Sequence, residues 1–173
     1  MFAPPQISIR KAAADDVDAL ETLNNAMGHG KAENYFSECL DRQENESLSV
    51  YIASVDHQDI AYGLINWLPK YKYYQANKIP EIQDLNVLQT FRRQGVATQM
   101  IHFCEDIVKK RGHKHIGISV GLTADYGPAQ RIYSKMGYIP DGHGVAYDRE
   151  SIKNGEFRPI DDNLCLMMVK DLA

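Results

Sequence analysis

The stretch that most constrains the fold of this chain runs from Glu81 to Lys110. It opens with EIQDLNVL, a run rich in apolar and β-branched residues that is typical of a strand, and RRQG then indicates a turn. After the turn, apolar residues recur at helical spacing, at Met100, Ile101, Cys104, Ile107 and Val108. The sequence therefore predicts a strand, a tight turn and a long amphipathic helix.

The entry into that helix has the properties of an anion-binding site. Gly95 lacks a Cβ atom, so the backbone there can approach a ligand closely. The first helical amides have no partner within the helix, the macrodipole adds partial positive charge, and Arg92 and Arg93 contribute two cations. Such a strand–turn–helix binds phosphate groups, the alternative being an ordinary surface turn with solvated arginines. A P-loop is excluded because no Gly-Lys-Ser/Thr follows, and a dinucleotide fingerprint because three spaced glycines are absent.

A second informative stretch, DYGPAQRIYSKMG, covers residues 125–137. Pro128 suits a first helical turn, Ile132 and Met136 form an apolar i, i+4 pair, and a glycine ends the helix. Between the two predicted helices lies HIGISV, residues 115–120, which is typical of a short buried strand. Strand, helix and strand of these lengths predict a crossover unit of an α/β fold.

The other predicted elements surround these two stretches. They are a strand at 6–10, helices at 17–27 and 32–42, a hairpin of strands at 48–55 and 60–68, and a final strand at 164–169. Gly63 predicts a bulge or a close backbone approach within its strand. His29 is interpreted as a solvated loop residue, and the polar stretch that follows Gly144 and runs to Asn163 predicts a long loop. One aromatic cluster is interpreted as packing, with a substrate-pocket wall as the alternative: Trp67, Tyr71, Tyr73 and Tyr74.

Composition limits the function classes. A length of 173 residues with 44% hydrophobic and 24% charged residues suits one globular domain, and no apolar run approaches a membrane span. A net charge of −4 gives nucleic-acid binding no electrostatic support. The three cysteines are widely separated and give neither a metal-binding spacing nor a disulfide framework. We therefore expect a cytoplasmic protein without a metal, a membrane or a nucleic-acid partner.

The two motifs together resemble one protein family. Arg92-x-x-Gly95-x-Ala97 resembles the acyl-coenzyme A binding motif of the GNAT superfamily of N-acetyltransferases, and AQRIYSKMGY, residues 129–138, resembles its second motif, a helix beside the cofactor. Two motifs in this order, separated by a strand, are far more specific than either alone. The resemblance covers residues 81–141. It implies a single domain over residues 1–173 with the GNAT acyl-CoA N-acyltransferase fold, an α/β fold with a mixed central sheet flanked by helices.

The resemblance also implies acetyl-CoA as co-substrate and a set of contacts with it. Backbone groups of residues 87–89 would pair with the pantetheine arm, and amides of residues 93–98 would hold the pyrophosphate. Tyr126, where the family often has Asn, is included as a further contact. The implied cofactor-binding residues are Val87, Leu88, Gln89, Arg92, Arg93, Gln94, Gly95, Val96, Ala97, Thr98 and Tyr126.

Acetyl transfer to an amine requires a neutral amine, a donor to the developing oxyanion and a proton for the departing thiolate. The resemblance places a catalytic tyrosine at Tyr133. Its reference pKa of about 10 exceeds that of a thiol, about 8.5, so it stays protonated and can donate. The family places its bases along the first strand, where Glu81 and Asp84 project to opposite faces. Glu81 is slightly preferred and Asp84 stays open.

These features predict an enzyme that moves an acetyl group from acetyl-CoA to a primary amine by direct transfer in a ternary complex. No Ser or Cys lies in a nucleophile motif, in agreement with the absence of an acyl-enzyme. The alternative is a non-catalytic acyl-CoA binding or sensing module on the same fold. The acceptor, a small-molecule amine or a protein amine, stays open, and homodimers are common in such families.

Overall fold

The computed structural model describes residues 6–28 and 30–173, so the prediction for His29 lies outside the described residues. The strands are β1 Ser8–Lys11, β2 Leu48–Val55, β3 Gln58–Asn66, β4 Glu81–Val87, β5 His115–Gly121, β6 Ile139–Tyr147, β7 Glu150–Ser151 and β8 Leu164–Asp171. The α-helices are α1 Val17–Ala26, α2 Tyr35–Glu44, α3 Lys72–Asn77, α4 Val96–Lys110 and α5 Gly127–Lys135. Strands and helices alternate through the middle of the chain, as the sequence predicts for an α/β fold.

The chain divides into two compact units. The first contains Met1–Trp67 and Ile82–Ile107, and the second contains Leu68–Glu81 and Val108–Ala173. Each unit has its own run of adjacent strands, in the order β1-β2-β3-β4 in the first and β5-β8-β6-β7 in the second. The single domain over residues 1–173 stays a prediction.

The first unit is built on the predicted hairpin, which is confirmed. β2 and β3 pair antiparallel from Leu48 opposite Asn66, with a register shift between Ala53 and Ser54. The close approach predicted at Gly63 is also confirmed, because an added Cβ there would lie 3.2 Å from Leu85 Cδ1. Leu85 lies on β4, the strand next to β3 in the sheet, which also carries Glu81 and Asp84.

Helices α1 and α2 cover one face of this hairpin because their apolar residues recur at helical spacing. Leu20 and Phe36 are buried there against Ile52 and Tyr62. Ala53 belongs to a different cluster, which α4 joins through buried Val96 and Met100. The alternation of Ile52 and Ala53 between two clusters follows from the two-residue period of a strand. Each large buried side chain stabilises the unit by about 1.5–3 kcal/mol.

The second unit is an antiparallel sheet that packs around a buried tyrosine. β8 pairs with β5 and β6, and Tyr74 donates from its hydroxyl to the Met168 carbonyl at 2.5 Å. An added Cβ at Gly117 would lie 2.3 Å from the Tyr74 ring, so this glycine makes room for the ring. Tyr71 is also buried, in the same cluster. The packing interpretation of these two aromatic residues is therefore confirmed.

The long loop predicted up to Asn163 is wrong in its first part. β6 extends to Tyr147, and a two-residue turn leads to β7. β6 is mostly exposed, contains a register shift, and has positive φ at Gly142 and Gly144. A polar, glycine-containing strand lacks the alternation of apolar residues by which strands are predicted from sequence. Only residues 152–163 are irregular.

Candidate active site

The turn between β4 and α4 has the backbone geometry of an anion site. Arg93 and Gly95 both have positive φ, +62° and +84°. The amide of Gln99 donates to the Gly95 carbonyl at 3.0 Å, as the α-helical ladder of α4 begins. The amides before Gln99 in the first turn have no carbonyl one turn earlier to which they could donate. Left-handed residues before a helix N-terminus concentrate N–H groups on one side of the chain, which is a receptor for phosphate.

Two side chains hold this turn in shape. The Arg92 Nε donates to the Val87 carbonyl at 3.0 Å, and the Gln94 amide nitrogen donates to the Thr90 carbonyl at 2.8 Å. Arg92 therefore links the turn to the end of β4. Val96 is buried and packs in the same core cluster as Met100, so its side chain is not available to a ligand. These residues fit a cofactor that is held by main-chain amides, with side chains shaping the loop.

The backbone of Leu88 is already engaged within the first unit. Its amide donates to the Ile60 carbonyl at 2.8 Å, and its carbonyl accepts from the Phe91 amide at 2.9 Å. Both backbone groups of Leu88 are thus already hydrogen-bonded. Its contact with the arm stays a prediction.

Glu81 has the environment of a structural carboxylate. Its side chain is 0% exposed and accepts from Arg149 Nη2 at 3.1 Å. The same Nη2 donates to Ser119 Oγ at 3.1 Å. Arg149 reaches this position from the turn between β6 and β7, where Asp148 and Arg149 have φ of +48° and +62°. A buried carboxylate of this kind depends on its guanidinium partner, since removal of the guanidinium leaves the carboxylate buried without compensation.

Asp84 has a different environment, in the first unit. It has φ of +47° inside β4, which is uncommon for a residue with a Cβ and marks local backbone strain. Its carboxylate accepts from Lys31 Nζ at 2.7 Å and from the Tyr35 hydroxyl. The Lys31 and Asp84 side chains are 24% and 25% exposed. Burial, followed by the charge of Asp84, raises the pKa of Tyr35, which therefore stays a donor.

The hydrogen bonds continue beyond Asp84 along the same strand. The Asn86 side-chain amide donates to the Asp84 carbonyl and to the Tyr62 hydroxyl, each at 3.1 Å. The Tyr62 hydroxyl in turn donates to Asn24 Oδ1 at 3.0 Å. Burial raises the pKa of Tyr62, so its proton is retained. This network fixes the backbone where β4 departs from regular strand geometry.

Tyr133 and Tyr126 lie on and before α5 in the second unit. Burial raises the pKa of Tyr133 to about 12, with Tyr126 as a further cause, so Tyr133 is protonated at neutral pH. Tyr126 donates from its hydroxyl to Asp162 Oδ1 at 3.1 Å. Its ring occupies the space beside Gly121, where an added Cβ would lie 2.4 Å from Cδ2. Tyr133 thus keeps a proton to donate, while Tyr126 has a structural role already.

Comparison with known families decides the identity of the fold. The model of the Acetyltransferase (GNAT) family matches residues 17–138. The chain belongs to the GNAT family. The predicted membership is confirmed, and so is the prediction of an acetyl-CoA-dependent N-acetyltransferase as the enzyme class. Acyl transfer from acetyl-CoA is general for GNAT proteins, and acetyl-CoA is the co-substrate.

Solved GNAT structures share the fold along nearly the whole chain. An Elizabethkingia anophelis GNAT acetyltransferase with acetyl-CoA bound is 17% identical, with 95% of this chain and 97% of that chain covered and a TM-score of 0.65. The Escherichia coli ribosomal-protein-S18-alanine N-acetyltransferase is 11% identical, with 97% and 95% covered and a TM-score of 0.68. A Vibrio cholerae spermidine N-acetyltransferase chimera is 12% identical, with 96% of each covered and a TM-score of 0.70. The predicted α/β class, with a mixed sheet flanked by helices, is confirmed. No curated protein sequence matches the chain significantly.

Within this GNAT chain, the structure groups the predicted residues by unit. Asp84 and the predicted cofactor residues 87–98 belong to the first unit, whereas Glu81, Tyr126 and Tyr133 belong to the second. Over residues 6–28 and 30–173, no three His, Cys, Asp or Glu side chains could hold a metal ion. No helix in those ranges is long and apolar enough to cross a membrane.

Sequence reasoning missed the partners of both carboxylates. Lys31 and Tyr35 lie 53 and 49 positions before Asp84, and Arg149 lies 68 positions after Glu81. No periodicity connects residues so far apart. The one local signal was the pair of glycines before Lys31, which indicates a connection between helices that can approach another element.

Proposed function

We propose that this GNAT protein acetylates a primary amine by direct transfer from acetyl-CoA in a ternary complex. The observation that carries the proposal is Asp84: a partly exposed carboxylate that already holds a primary ammonium, Lys31 Nζ, at 2.7 Å. It lies on the strand that leads into the anion-binding turn. A site that binds one alkylammonium ion in this way is suited to bind another.

Acetyl-CoA would be held by the chain's own backbone at this turn. Amides of residues 93–98 would donate to its pyrophosphate, and Arg92 would keep the turn attached to β4 through the Val87 carbonyl. The thioester supplies the acetyl group and a good leaving group. Removal of the amine proton and protonation of the thiolate would fall to protein side chains.

We assign the general base to Asp84 in preference to Glu81. A base must reach the amine proton directly or through one water molecule. Asp84 is 25% exposed, whereas Glu81 is 0% exposed and paired with Arg149. The acceptor amine would therefore lose its proton to Asp84.

Tyr133 would supply the proton that the departing thiolate needs. Burial raises its pKa to about 12, so Tyr133 is protonated at neutral pH and carries a proton that could pass to the leaving sulfur. Its phenol would act only once the C–S bond weakens. Removal of the Tyr133 hydroxyl should therefore lower kcat.

The acceptor class follows from Asp84 and its neighbours. A carboxylate, a tyrosine hydroxyl and an aromatic ring face suit a compact alkylammonium group. Named substrates of structural neighbours are a polyamine, spermidine, and an alanine of a ribosomal protein. Both are aliphatic amines. All three cysteines are buried free thiols, which supports action in a reducing cytoplasm. The homodimer stays a prediction.

The first test is calorimetric titration with acetyl-CoA of the wild type, Gly95→Trp and a matched control, Gly112→Trp. Both glycines have positive φ, +84° and +87°, at opposite ends of α4. We expect tight binding to wild type and control and a loss of about 100-fold or more for Gly95→Trp, as a blocked phosphate site implies. Equal binding by both variants would contradict the assignment.

A panel of primary amines, followed by release of free thiol, then separates enzyme from binding module. Turnover with at least one alkylamine supports the proposal. Binding of acetyl-CoA without transfer to any amine would favour the non-catalytic acyl-CoA sensor.

A further inference from the structure

One primary amine of the chain already lies at the proposed base. Lys31 Nζ is 2.7 Å from Asp84 Oδ2 and 4.7 Å from the centroid of the Tyr35 ring. The ammonium therefore has a carboxylate on one side and an aromatic face on another. These are the contacts expected of an external alkylamine in the same place.

We propose that Lys31 is a tethered occupant of the acceptor position and that acetyl-CoA bound to the protein acetylates its Nζ. This inference rests on the proposed function, since it requires Asp84 as the base. It adds a modification site, an internal substrate and a competitor for external amines.

The order of groups along β4 supports this position. The turn at residues 93–98 would bind phosphates, and residues 87–89 would pair with the pantetheine arm. Continuing in the same direction leads to the thioester and towards Asp84, which precedes Val87 by about 10 Å at the usual rise of a strand. A nucleophile held at Asp84 is therefore on the side from which the acyl end is expected.

The glycines that precede Lys31 have open space beside them. Gly28 has φ of +74°, and neither Gly28 nor Gly30 would bring an added Cβ within 4 Å of other atoms. Asn34, the residue before α2, has φ of +65° and no side-chain cap. Lys31 itself has a long unbranched stem. Its four-carbon stem lets the Nζ atom move by the small distance that a bond-forming approach requires.

The transfer balances as follows. Asp84 takes one proton from the Lys31 ammonium and passes it to water. The Nζ lone pair forms a C–N bond with the thioester carbonyl carbon, the C–S bond breaks, and its electron pair leaves on sulfur. The second Nζ proton ends on that sulfur, which gives the free thiol of coenzyme A. The product, Nζ-acetyl-lysine, is neutral and no longer pairs with the carboxylate, so Asp84 becomes available to external amines.

The test uses full-length protein and acetyl-CoA with a deuterated acetyl group, without any added amine. Peptide mass spectrometry measures label at Lys31 and at two exposed lysines, Lys11 and Lys109, which report chemical acetylation in solution. We expect label at Lys31 to exceed each of these at least ten-fold. Asp84→Asn should reduce Lys31 label to the level of the exposed lysines while its circular dichroism and acetyl-CoA binding are kept.

Competition gives the second arm. An amine that is turned over in the thiol assay should lower the label at Lys31 in proportion to its occupancy, and leave Lys11 and Lys109 unchanged. Equal label at all three lysines, in a preparation that turns over amines, would overturn this inference and leave the proposed function standing. A preparation that does not bind acetyl-CoA would overturn the proposed function and this inference together.

Discussion

Two carboxylates three positions apart in one strand have opposite surroundings. Glu81 is 0% exposed and paired with Arg149, whose side chain is 24% exposed. Asp84 is 25% exposed and paired with Lys31 on a connection between helices. Breaking a buried pair leaves an uncompensated charge, whereas a partly exposed pair exchanges with water or ligands at little cost. We propose that Glu81 serves stability and Asp84 serves chemistry, and this division can be tested.

Asp84→Asn should have the largest effect on activity. Loss of a general base lowers kcat/KM by about 10²–10⁴-fold. The free energy of unfolding should change by about 1 kcal/mol or less, since the pair is partly exposed. Steady-state kinetics and urea denaturation measure the two quantities. Asp106→Asn, at an exposed position on α4, is the matched control and should change neither. Full activity of Asp84→Asn would show that another group is the general base.

Arg149→Ala should have the largest effect on stability. It leaves the Glu81 carboxylate buried without its cation, which costs about 3–5 kcal/mol. Arg158→Ala is the matched control, because Arg158 pairs with Glu156 at 2.7 Å but is 41% exposed. That control should lose about 0.5 kcal/mol or less. Similar urea midpoints for the two variants would contradict the structural role of the Glu81 pair.

The double variant Glu81→Gln with Arg149→Met sharpens the comparison. Neutral partners remove the unpaired charge, so about 2 kcal/mol of the loss in Arg149→Ala should be recovered. Since Asp84 is intact, the folded double variant should keep kcat within about ten-fold of wild type, a far smaller change than removal of a general base. A loss of kcat as large as that of Asp84→Asn would restore Glu81 as the base.

The two carboxylates also mark the limit of what the sequence could predict. β2 has the predicted bounds, and α4 and β8 were recognised, because periodicity is a local property. The signal for the proposed phosphate-binding turn was likewise local, through Gly95. The choice between Glu81 and Asp84 depended on partners that the fold brings from distant positions. Strand alternation predicted the face of the sheet to which each side chain projects, but not the residues that it contacts.

A third carboxylate, Asp16, gives the smallest expected effect and lies between the two extremes. It accepts from Arg10 Nη2 at 2.8 Å and from the Ala13 amide at 2.7 Å. Asp16 is 13% exposed and Arg10 is 47% exposed. The Arg10 hydrogen bond, together with the Ala13 amide, lowers the pKa of Asp16 despite partial burial. Asp16→Asn should therefore lose about 1 kcal/mol at pH 7.

The pH dependence of that loss follows from its sign. A lowered pKa in the folded state means that Asp16 stabilises the protein fully above the reference pKa of about 3.9, and that this contribution disappears as pH falls through the folded-state value. The difference in unfolding free energy between wild type and Asp16→Asn should thus be constant from pH 7 to about 5 and shrink below about 4. Urea denaturation at several pH values measures it. A difference that does not shrink as the pH falls would show that Asp16 acts through packing and backbone hydrogen bonding rather than through its charge.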